Sequence, residues 1–446
     1  MKLPGNSDGL KEYVSELVDF VQRYSYVWDF YTAYLLTDST FWSGFRWKEL
    51  ADIVSEDDLM DLLRSFDTCN PLNGRVEWPT DLLLLLEESR RLSLDRVPKP
   101  TLRPSFHEKT YHRMSPKKRS EVESMCPLID YVARECGVQR IMDLGSGQAY
   151  LDIALALEYG YTIIGVDEDE IQTSGASRNT RDAKKHFPGK TLDLHYINRR
   201  VEPHEGFDDL LSSTVDAGTD SSGTECSHFG IVGLHTCGDL AAASLEHFLN
   251  AQNARFLVNV GCCYNCLSDK GFPLSDHLFK QIYPRMNNKA KTLACQNVWK
   301  WVSGDRDACT QILKTTFYRA CVQLLLKDVC DHPEEIVVGR FPKRHYENGF
   351  VPYAREVLRR LNLSQLFSDE QLASFYESCQ SWRIRHSLLW VCRMMMAPVM
   401  ESLILADRAL SLLEKRQSMK VQIFPVFDPM ESPRNLALIA YNSTEM

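Results

Sequence analysis

Strand-like and helix-like segments alternate between residues 139 and 271, and this alternation constrains the fold more than any other feature of the sequence. Five short apolar runs have the character of strands: RIMDL, TIIGVD, LDLHYIN, FGIVGLH and RFLVNVG. Amphipathic segments lie between most of them, and this pattern predicts βαβ units and a mainly parallel sheet. Two further strand-like runs, KVQIFPVF and NLALIAYN, lie near the end of the chain. We expect them to form a hairpin that completes the sheet.

The chain divides into four predicted segments. Residues 1–100 form an N-terminal helical region, and residues 101–275 hold the first five strands. Residues 276–418 form a helical insertion, and residues 419–446 hold the terminal hairpin. The predicted fold is therefore α/β, a Rossmann-like sheet of seven strands with an N-terminal helical region and a large helical insertion before the last two strands. A Ser/Gly-rich run between the third and fourth strands predicts a surface loop.

Composition excludes several classes of protein. With 44% apolar and 25% charged residues among 446, the chain is neither collagen-like nor disordered throughout. Its net charge of −9 argues against a generally basic nucleic-acid binder, and DNA binding is not expected, although a local basic patch remains compatible. The sequence has 14 cysteines and opens without an apolar secretory leader, which predicts reduced thiols in the cytosol or nucleus.

One stretch, residues 387–406, is apolar enough to suggest a membrane span. It contains Arg393, Pro398 and Glu401. A charge near the centre of a bilayer costs about 2.5–3.5 kcal/mol. We therefore expect a buried helix and not a membrane span, and the sequence leaves contact of this helix with a membrane open.

The first strand ends in a motif that opens a helix. The motif consists of Asp143, Leu144, Gly145, Ser146 and Gly147. Its glycines allow a ligand to approach the backbone, and amides at a helix N-terminus favour a carboxylate or another anion. Asp167 ends the second strand 22 residues after Gly145, where a carboxylate can accept hydrogen bonds from ribose hydroxyls. The pattern predicts a nucleoside cofactor, but Tyr150 replaces the third glycine of a dinucleotide motif and disfavours NAD and FAD.

Reactive side chains follow the fourth and fifth strands. They are His235, Cys237, Asp239, Cys262, Cys263, Tyr264 and Cys266. The carboxyl ends of neighbouring parallel strands meet at one edge, so we expect a common pocket. His235 is the candidate general base, and Asp239 and Tyr264 are expected to address the acceptor.

The cysteines of this region allow two interpretations. As small packed hydrophobic side chains they need no ligand. Zinc bound by His235, Cys237, Cys263 and Cys266 is the alternative. The spacing matches no standard zinc finger, and we predict no metal.

A basic cluster precedes the first strand. Lys117, Lys118 and Arg119 follow Ser115 and Pro116, which are typical of the first positions of a helix. The three basic residues are candidates for binding the phosphates of RNA or an acidic protein surface. A solvated charged helix face is the alternative.

Four motifs together carry a resemblance to a known family: MSPKKRSEV, DLGSGQAYL, LHTCGDL and VGCCYNCLS. They resemble the methyltransferase-like protein 25 family, within the class I S-adenosylmethionine-dependent methyltransferases. The resemblance implies S-adenosyl-L-methionine as the cofactor. It also implies that Asp143, Gly145, Ser146 and Gly147 hold the methionine part, Asp167 the ribose, and Glu202 the adenine side.

Two comparisons of motifs bear on the acceptor. Adenine N6 dimethylases carry an Asn-x-Pro-aromatic motif after the fourth strand, where this chain has His235 to Gly238, so adenine dimethylation is disfavoured. The HTCG and CCY segments are similar to KHLCG and CCHH in tRNA 2′-O-methyltransferases, although Leu234 replaces the lysine. We expect a methyltransferase acting on RNA (rRNA or tRNA) or on a translation-related protein. A catalytically silent methyltransferase fold that serves as a scaffold is the alternative, and the oligomeric state stays open.

Overall fold

The strands and helices follow the predicted alternation closely. The computed structural model describes residues 3–442 except 71, 73, 99–103, 203–227, 282–285, 328, 331–335, 337–340, 343 and 344. The Ser/Gly-rich run predicted as a surface loop lies outside the described residues. The strands are β1 (Arg140–Leu144), β2 (Thr162–Asp167), β3 (Leu194–Asn198), β4 (Phe229–Cys237), β5 (Ala254–Cys262), β6 (Met419–Pro425) and β7 (Leu436–Asn442).

The helices before β4 include the predicted N-terminal region. They are α1 (Ser7–Arg23), α2 (Ser25–Trp28), α3 (Ser39–Gly44), α4 (Glu56–Arg64), α5 (Thr80–Leu92), α6 (Pro116–Glu135), α7 (Tyr150–Ala154) and α8 (Glu170–His186). Those after β4 are α9 (Asp239–Asn250), α10 (Asp276–Gln281), α11 (Asn288–Ala294), α12 (Trp299–Val302), α13 (Arg306–Lys327), α14 (Phe350–Arg360), α15 (Asp369–Cys379) and α16 (Arg383–Lys415).

The chain packs as two units, and these units group the predicted segments differently from our expectation. The sheet unit comprises Met1–Phe20, Leu92–Cys295 and Val399–Met446. The helical unit comprises Val21–Arg91 and Gln296–Pro398. Parts of the N-terminal region and of the insertion thus form one unit together, whereas most of α1 and the second half of α16 belong with the sheet.

The sheet has the order β3-β2-β1-β4-β5-β7-β6. Strands β1 to β5 are parallel, and β7 runs antiparallel between β5 and β6. The predicted seven-stranded sheet with a terminal hairpin is confirmed. Its central strands are apolar along nearly their whole length because helices cover both faces of a parallel sheet. From β1 the chain continues to β2 on one side of the sheet, and from β4 it continues to β5 on the other side. The gap between two such neighbouring strands is the switch point of the sheet, and ligands bind there, outside the carboxyl ends of the strands.

The long helix α16 holds the apolar stretch noted in the sequence. The helical run Asp369–Lys415 is long and apolar enough to cross a membrane, and 94% of its most apolar window is buried within the protein. Arg393 is buried and donates to the backbone carbonyls of Val27, Trp28 and Phe30 in the helical unit. Its charge is therefore satisfied by the end of α2 and the turn that follows.

Candidate active site

A cavity of about 690 Å³ lies at the carboxyl edge of the sheet. Residues that follow each of the five parallel strands line it: Gly145, Val166, Asp167, Glu168, Arg199, Arg200, Val201, Glu202, His235, Cys237, Gly238, Asp239, Leu240, Cys266, Ser268 and Lys270. The cavity thus lies at the switch point of the sheet, where the topology places a ligand.

The turn after β1 and the end of β2 form one side of this cavity. Gly145 has φ +82, a left-handed conformation that favours glycine, and its amide donates to the carbonyl of Val166 at 2.8 Å. The carboxylate of Asp167 accepts from the amides of Gly147 at 2.9 Å and Asp169 at 3.0 Å. Each carboxylate oxygen retains a second lone pair, so Asp167 is positioned and can still accept from a ribose hydroxyl. These residues fit the nucleoside part of S-adenosylmethionine.

The side chains of Asp143 and Ser146 do not line the cavity, which corrects their predicted role. Asp143 is 2% exposed and lies beside the fully buried Asp152. Ser146 Oγ packs against Gly165 of β2, where an added Cβ would lie only 2.7 Å from it. Asp143 is paired with Gly165 in the sheet, and the Cβ position of Gly165 lies 2.8 Å from Asp152 Oδ2, so the buried carboxyl of Asp152 packs against the same glycine as Ser146.

The Asp143 and Asp152 carboxyls form a coupled pair. Asp143 Oδ1 and both carboxyl oxygens of Asp152 lack a hydrogen-bond partner among the described residues. Burial raises the pKa of Asp143 to about 6 and the pKa of Asp152 well above its usual range. We infer that the pair holds a proton at neutral pH, because two buried carboxylates without donors cannot both be charged.

Polar residues beyond β2 and β3 also line the cavity. Glu202 lines it as predicted, and the Nε of Arg200 lies 2.5 Å from Glu202 Oε1 and 3.6 Å from Glu168 Oε2. Sequence reasoning missed Glu168, Arg200 and Lys270. The sequence could have indicated them by their position, because each follows a predicted strand and so lies at the edge where ligands bind.

His235 faces the cavity from a bulge in β4. The register with β5 shifts between Leu234 and Thr236, so His235 is the extra residue, and its φ is +68. Bulges redirect a side chain and often lie beside active sites. Nε2 of His235 lies 2.8 Å from Oε1 of Glu121, a pairing that fixes the orientation of the imidazole.

Glu121 on α6 is a buried residue that sequence reasoning missed. Its carboxylate is also contacted by Lys118 Nζ at 3.0 Å, Lys117 Nζ at 3.5 Å and Ser432 Oγ at 2.8 Å. Burial acts to raise the pKa of Glu121, but the hydrogen bond and charge of His235, together with Lys118, hold it well below the usual range. Glu121 lies four residues after Lys117 and three after Lys118, and residues with this spacing are neighbours on one face of a helix. The sequence could have indicated these ion pairs by that spacing.

The predicted basic cluster thus has partners on its own helix. Lys117 and Lys118 contact Glu121, and Lys117 remains half exposed. Arg119 contacts Glu123 at 3.1 Å and lies over the ring of Tyr111. A substrate-binding role for the three residues stays a prediction.

The two remaining candidates for the acceptor site lie in different surroundings. Asp239 lines the cavity, and its carboxylate accepts from the amide of Ser268 at 2.9 Å. Tyr264 is 1% exposed, and its hydroxyl donates to Glu401 at 2.9 Å. Burial raises the pKa of Tyr264 well above its usual range. Tyr264 does not line the cavity, and its predicted role is corrected.

Three thiols meet beside the cavity, and one of them lines it. Cys237 lines the cavity and lies 3.2 Å from Cys262 and 3.4 Å from Cys263, sulfur to sulfur. The hydrogen bond from Cys262 is the largest of the effects that lower the pKa of Cys237 to about 6. Cys266 also lines the cavity but lies outside this group, and the imidazole of His235 is bound to Glu121.

A family model described as a methyltransferase domain matches residues 117–270, which include the motif, Asp167, His235 and the thiols. The chain is an S-adenosylmethionine-dependent methyltransferase. It is 25% identical to "Probable methyltransferase-like protein 25" of Mus musculus over 73% of this chain and 75% of that protein. The Homo sapiens protein of the same name is 24% identical over 75% of this chain and 76% of that protein. The resemblance found in the sequence motifs is confirmed.

Solved structures that match this methyltransferase include two other methyltransferases. Coclaurine N-methyltransferase, bound to N-methylheliamine and SAH, is 13% identical over 78% of this chain and 91% of its own, with a TM-score of 0.25. The plantazolicin methyltransferase BpumL in complex with SAH is 12% identical over 56% of this chain and 88% of its own, with a TM-score of 0.21. Both TM-scores are too low to carry any residue of those enzymes over to this chain.

Proposed function

We propose that this methyltransferase modifies RNA, at an acceptor atom that must lose a proton. The observation that carries the proposal is the His235–Glu121 pair at the wall of the cavity. When bound, S-adenosyl-L-methionine supplies an electrophilic methyl group. Methyl transfer mainly requires alignment and exclusion of water, and it needs a base only where the nucleophile carries a proton.

The contacts of His235 support a role as that base. Glu121 is buried and charged, so it favours the tautomer in which Nε2 of His235 carries the hydrogen. Nδ1 is then the acceptor of the ring. An orienting carboxylate behind an imidazole is the arrangement that activates hydroxyl nucleophiles in other enzymes. Asp239, on the same cavity wall, is available to position the acceptor.

The charges around Glu121 support a polyanionic acceptor. Lys117 and Lys118 begin α6, so their side chains and the positive end of the helix dipole lie on the same side as His235. Phosphate binding by a local basic patch is compatible with a net charge of −9 for the whole chain. The likeness of the HTCG and CCY segments to tRNA 2′-O-methyltransferases favours a ribose hydroxyl of tRNA or rRNA. We place this activity in the cytosol or nucleus, where thiols stay reduced.

Transfer of a labelled methyl group tests the acceptor. Full-length protein is incubated with S-adenosylmethionine carrying a tritiated methyl group and with separate rRNA, tRNA and ribosomal-protein fractions. We expect label in an RNA fraction and, after alkaline hydrolysis, in alkali-resistant dinucleotides, because a 2′-O-methyl group blocks cleavage. Label confined to the protein fraction would overturn the RNA proposal and identify a protein acceptor.

The His235→Gln variant tests the base. We expect its transfer rate to fall about 10²–10⁴-fold with cofactor affinity unchanged, because only proton removal is lost. His195→Gln is the matched control, since His195 lies on β3, pairs with Asp193 and does not line the cavity. Equal rates for His235→Gln and the wild type would show that the nucleophile needs no base.

A further inference from the structure

Three cysteine sulfurs of the sheet unit lie close enough together to bind one metal ion. Cys237 ends β4, Cys262 ends β5, and Cys263 follows it. The sulfur of Cys237 is 3.2 Å from Cys262 and 3.4 Å from Cys263, and Cys262 lies 3.6 Å from Cys263. The cysteines among the described residues are free thiols, and these separations far exceed the disulfide bond length of about 2.05 Å.

The backbone brings these sulfurs together by two features. Cys237 and Cys262 are paired residues of adjacent parallel strands, so their side chains lie on the same face. Cys262 and Cys263 would normally point to opposite faces, because side chains alternate along a strand. Cys263 instead has φ +49, a left-handed conformation that is unfavourable for a residue with a Cβ. This strained turn returns the third sulfur to the other two.

The separations resemble those of a metal–thiolate centre. Thiolates that share one tetrahedral zinc ion lie about 3.8 Å apart, because each Zn–S bond is about 2.3 Å long. The three observed distances are slightly shorter, and a small opening of the triangle would accommodate the ion. Three protein ligands leave a fourth position open, and since Cys237 lines the cavity, water can reach it.

A buried positive charge nearby suits an anionic centre. Arg408 is 1% exposed, and none of its three guanidinium nitrogens has a hydrogen-bond partner among the described residues. Its charge interacts with Cys262, Tyr264, Asp407 and Asp239. Three thiolates around one Zn²⁺ carry a net charge of −1, which an adjacent guanidinium would compensate.

We propose that Cys237, Cys262 and Cys263 bind one zinc ion that ties the carboxyl ends of β4 and β5 together beside the cavity. The site revises the expectation from the sequence that no metal is bound. It also differs from the alternative considered there, because Cys262 takes the place of His235 and Cys266. Ion binding is independent of the acceptor and of the role of His235 as a base.

Zinc content tests the proposal directly. Full-length protein is purified under reducing conditions without immobilised metal, incubated with one equivalent of Zn²⁺, desalted and analysed by mass spectrometry of the elements. We expect about one zinc per chain and at least a fivefold reduction in Cys237→Ser and Cys263→Ser. Cys69→Ser is the matched control, because Cys69 is an exposed thiol of the helical unit, and it should retain the wild-type content.

A spectroscopic measurement keeps the test decisive if a variant fails to fold, which circular dichroism would reveal. Co²⁺ added to the reduced wild-type protein should produce sulfur-to-cobalt charge-transfer absorption, and Zn²⁺ should abolish it. Wild-type protein that retains no zinc and shows no such absorption would overturn the proposal. So would unchanged zinc in folded Cys237→Ser and Cys263→Ser variants.

Discussion

Among the carboxyl groups that the sheet unit buries, Glu121 and the Asp143–Asp152 pair have different surroundings. Glu121 and the Asp143–Asp152 pair are each at most 2% exposed. Glu121 is surrounded by His235, Lys117, Lys118 and Ser432, and its pKa is held low. The aspartates face each other without donors, and burial raises the pKa of both.

The difference teaches that neighbouring groups, and not burial alone, set the charge of a buried carboxyl. At Glu121 the cations compensate for lost solvation, so the charge persists and can orient His235. At Asp143 and Asp152 the compensation comes from one shared proton, which leaves the pair with a single negative charge instead of two. One fold thus keeps one buried carboxyl fully charged and makes two others share a proton.

Removing the charged member should have the largest effect. In Glu121→Ala the partly exposed side chains of His235 and Lys118 lose the carboxylate that they contact, and we expect the free energy of unfolding at pH 7 to fall by about 2–3 kcal/mol. Urea unfolding measures the change. Glu123→Ala is the control on the same helix, because Glu123 pairs with Arg119 nearer the surface and should cost about 0–1 kcal/mol.

The pH dependence sharpens this prediction. A carboxyl whose pKa is lowered by folding contributes stability above its unfolded pKa, about 4.3 for glutamate, and loses it as the pH falls below that value. The difference between the wild type and Glu121→Gln should therefore be full at pH 7 and shrink below about pH 4. A difference that stays constant down to pH 3 would contradict a charged Glu121.

The carboxylate of Asp167 differs from the buried carboxyls because it lines the cavity, where a ligand can reach it. Asp167→Ala should weaken binding of S-adenosylmethionine and S-adenosylhomocysteine by about 1–3 kcal/mol, because the ribose hydroxyls lose their acceptor. Calorimetric titration measures the affinity. Asp169→Ala removes a carboxylate that caps α8 and does not line the cavity, so it should cost about 1 kcal/mol of stability and leave affinity unchanged. Equal affinities for Asp167→Ala and the wild type would exclude the assigned ribose contact.

Removing one carboxyl of the pair that shares a proton should have the smallest effect and the opposite pH dependence. A carboxyl whose pKa is raised by folding contributes stability below its unfolded pKa of about 3.9 and loses it as the pH rises through its folded value, here about 6 for Asp143. Asp152→Asn supplies a permanent donor, so we expect it to be more stable than the wild type by roughly 1–2 kcal/mol at pH 7.5 and equal to it below about pH 4. Urea unfolding at both pH values checks this. A variant that is less stable at pH 7.5 would refute the shared proton.

Much of the fold was predictable because it rests on local patterns. All seven strands were identified from short apolar runs, and the start of α6 from Ser115 and Pro116, whose predicted cap is present. Asp167, Glu202, His235 and Asp239 were expected near one pocket because they follow strands of a parallel sheet, and all four line the cavity.

The errors concern side-chain direction and contacts between distant residues. Tyr264 lies near the carboxyl end of a strand, as His235 does, but the positive φ of Cys263 precedes it and its hydroxyl donates to Glu401, 137 residues away. Glu121 lies 114 residues before His235 and carries no motif. Periodicity indicates which residues form an element, but not which side chain of another element will meet them.

The sequence by itself determined the strands, the parallel sheet with its hairpin and the edge where ligands bind, because these follow from apolar periodicity and from glycines at strand ends. Only the tertiary structure decided which carboxyls are charged, which side chains face the cavity and which thiols meet. Those properties depend on solvation and on distances between residues far apart in the chain, and both arise when the sheet and its helices pack together.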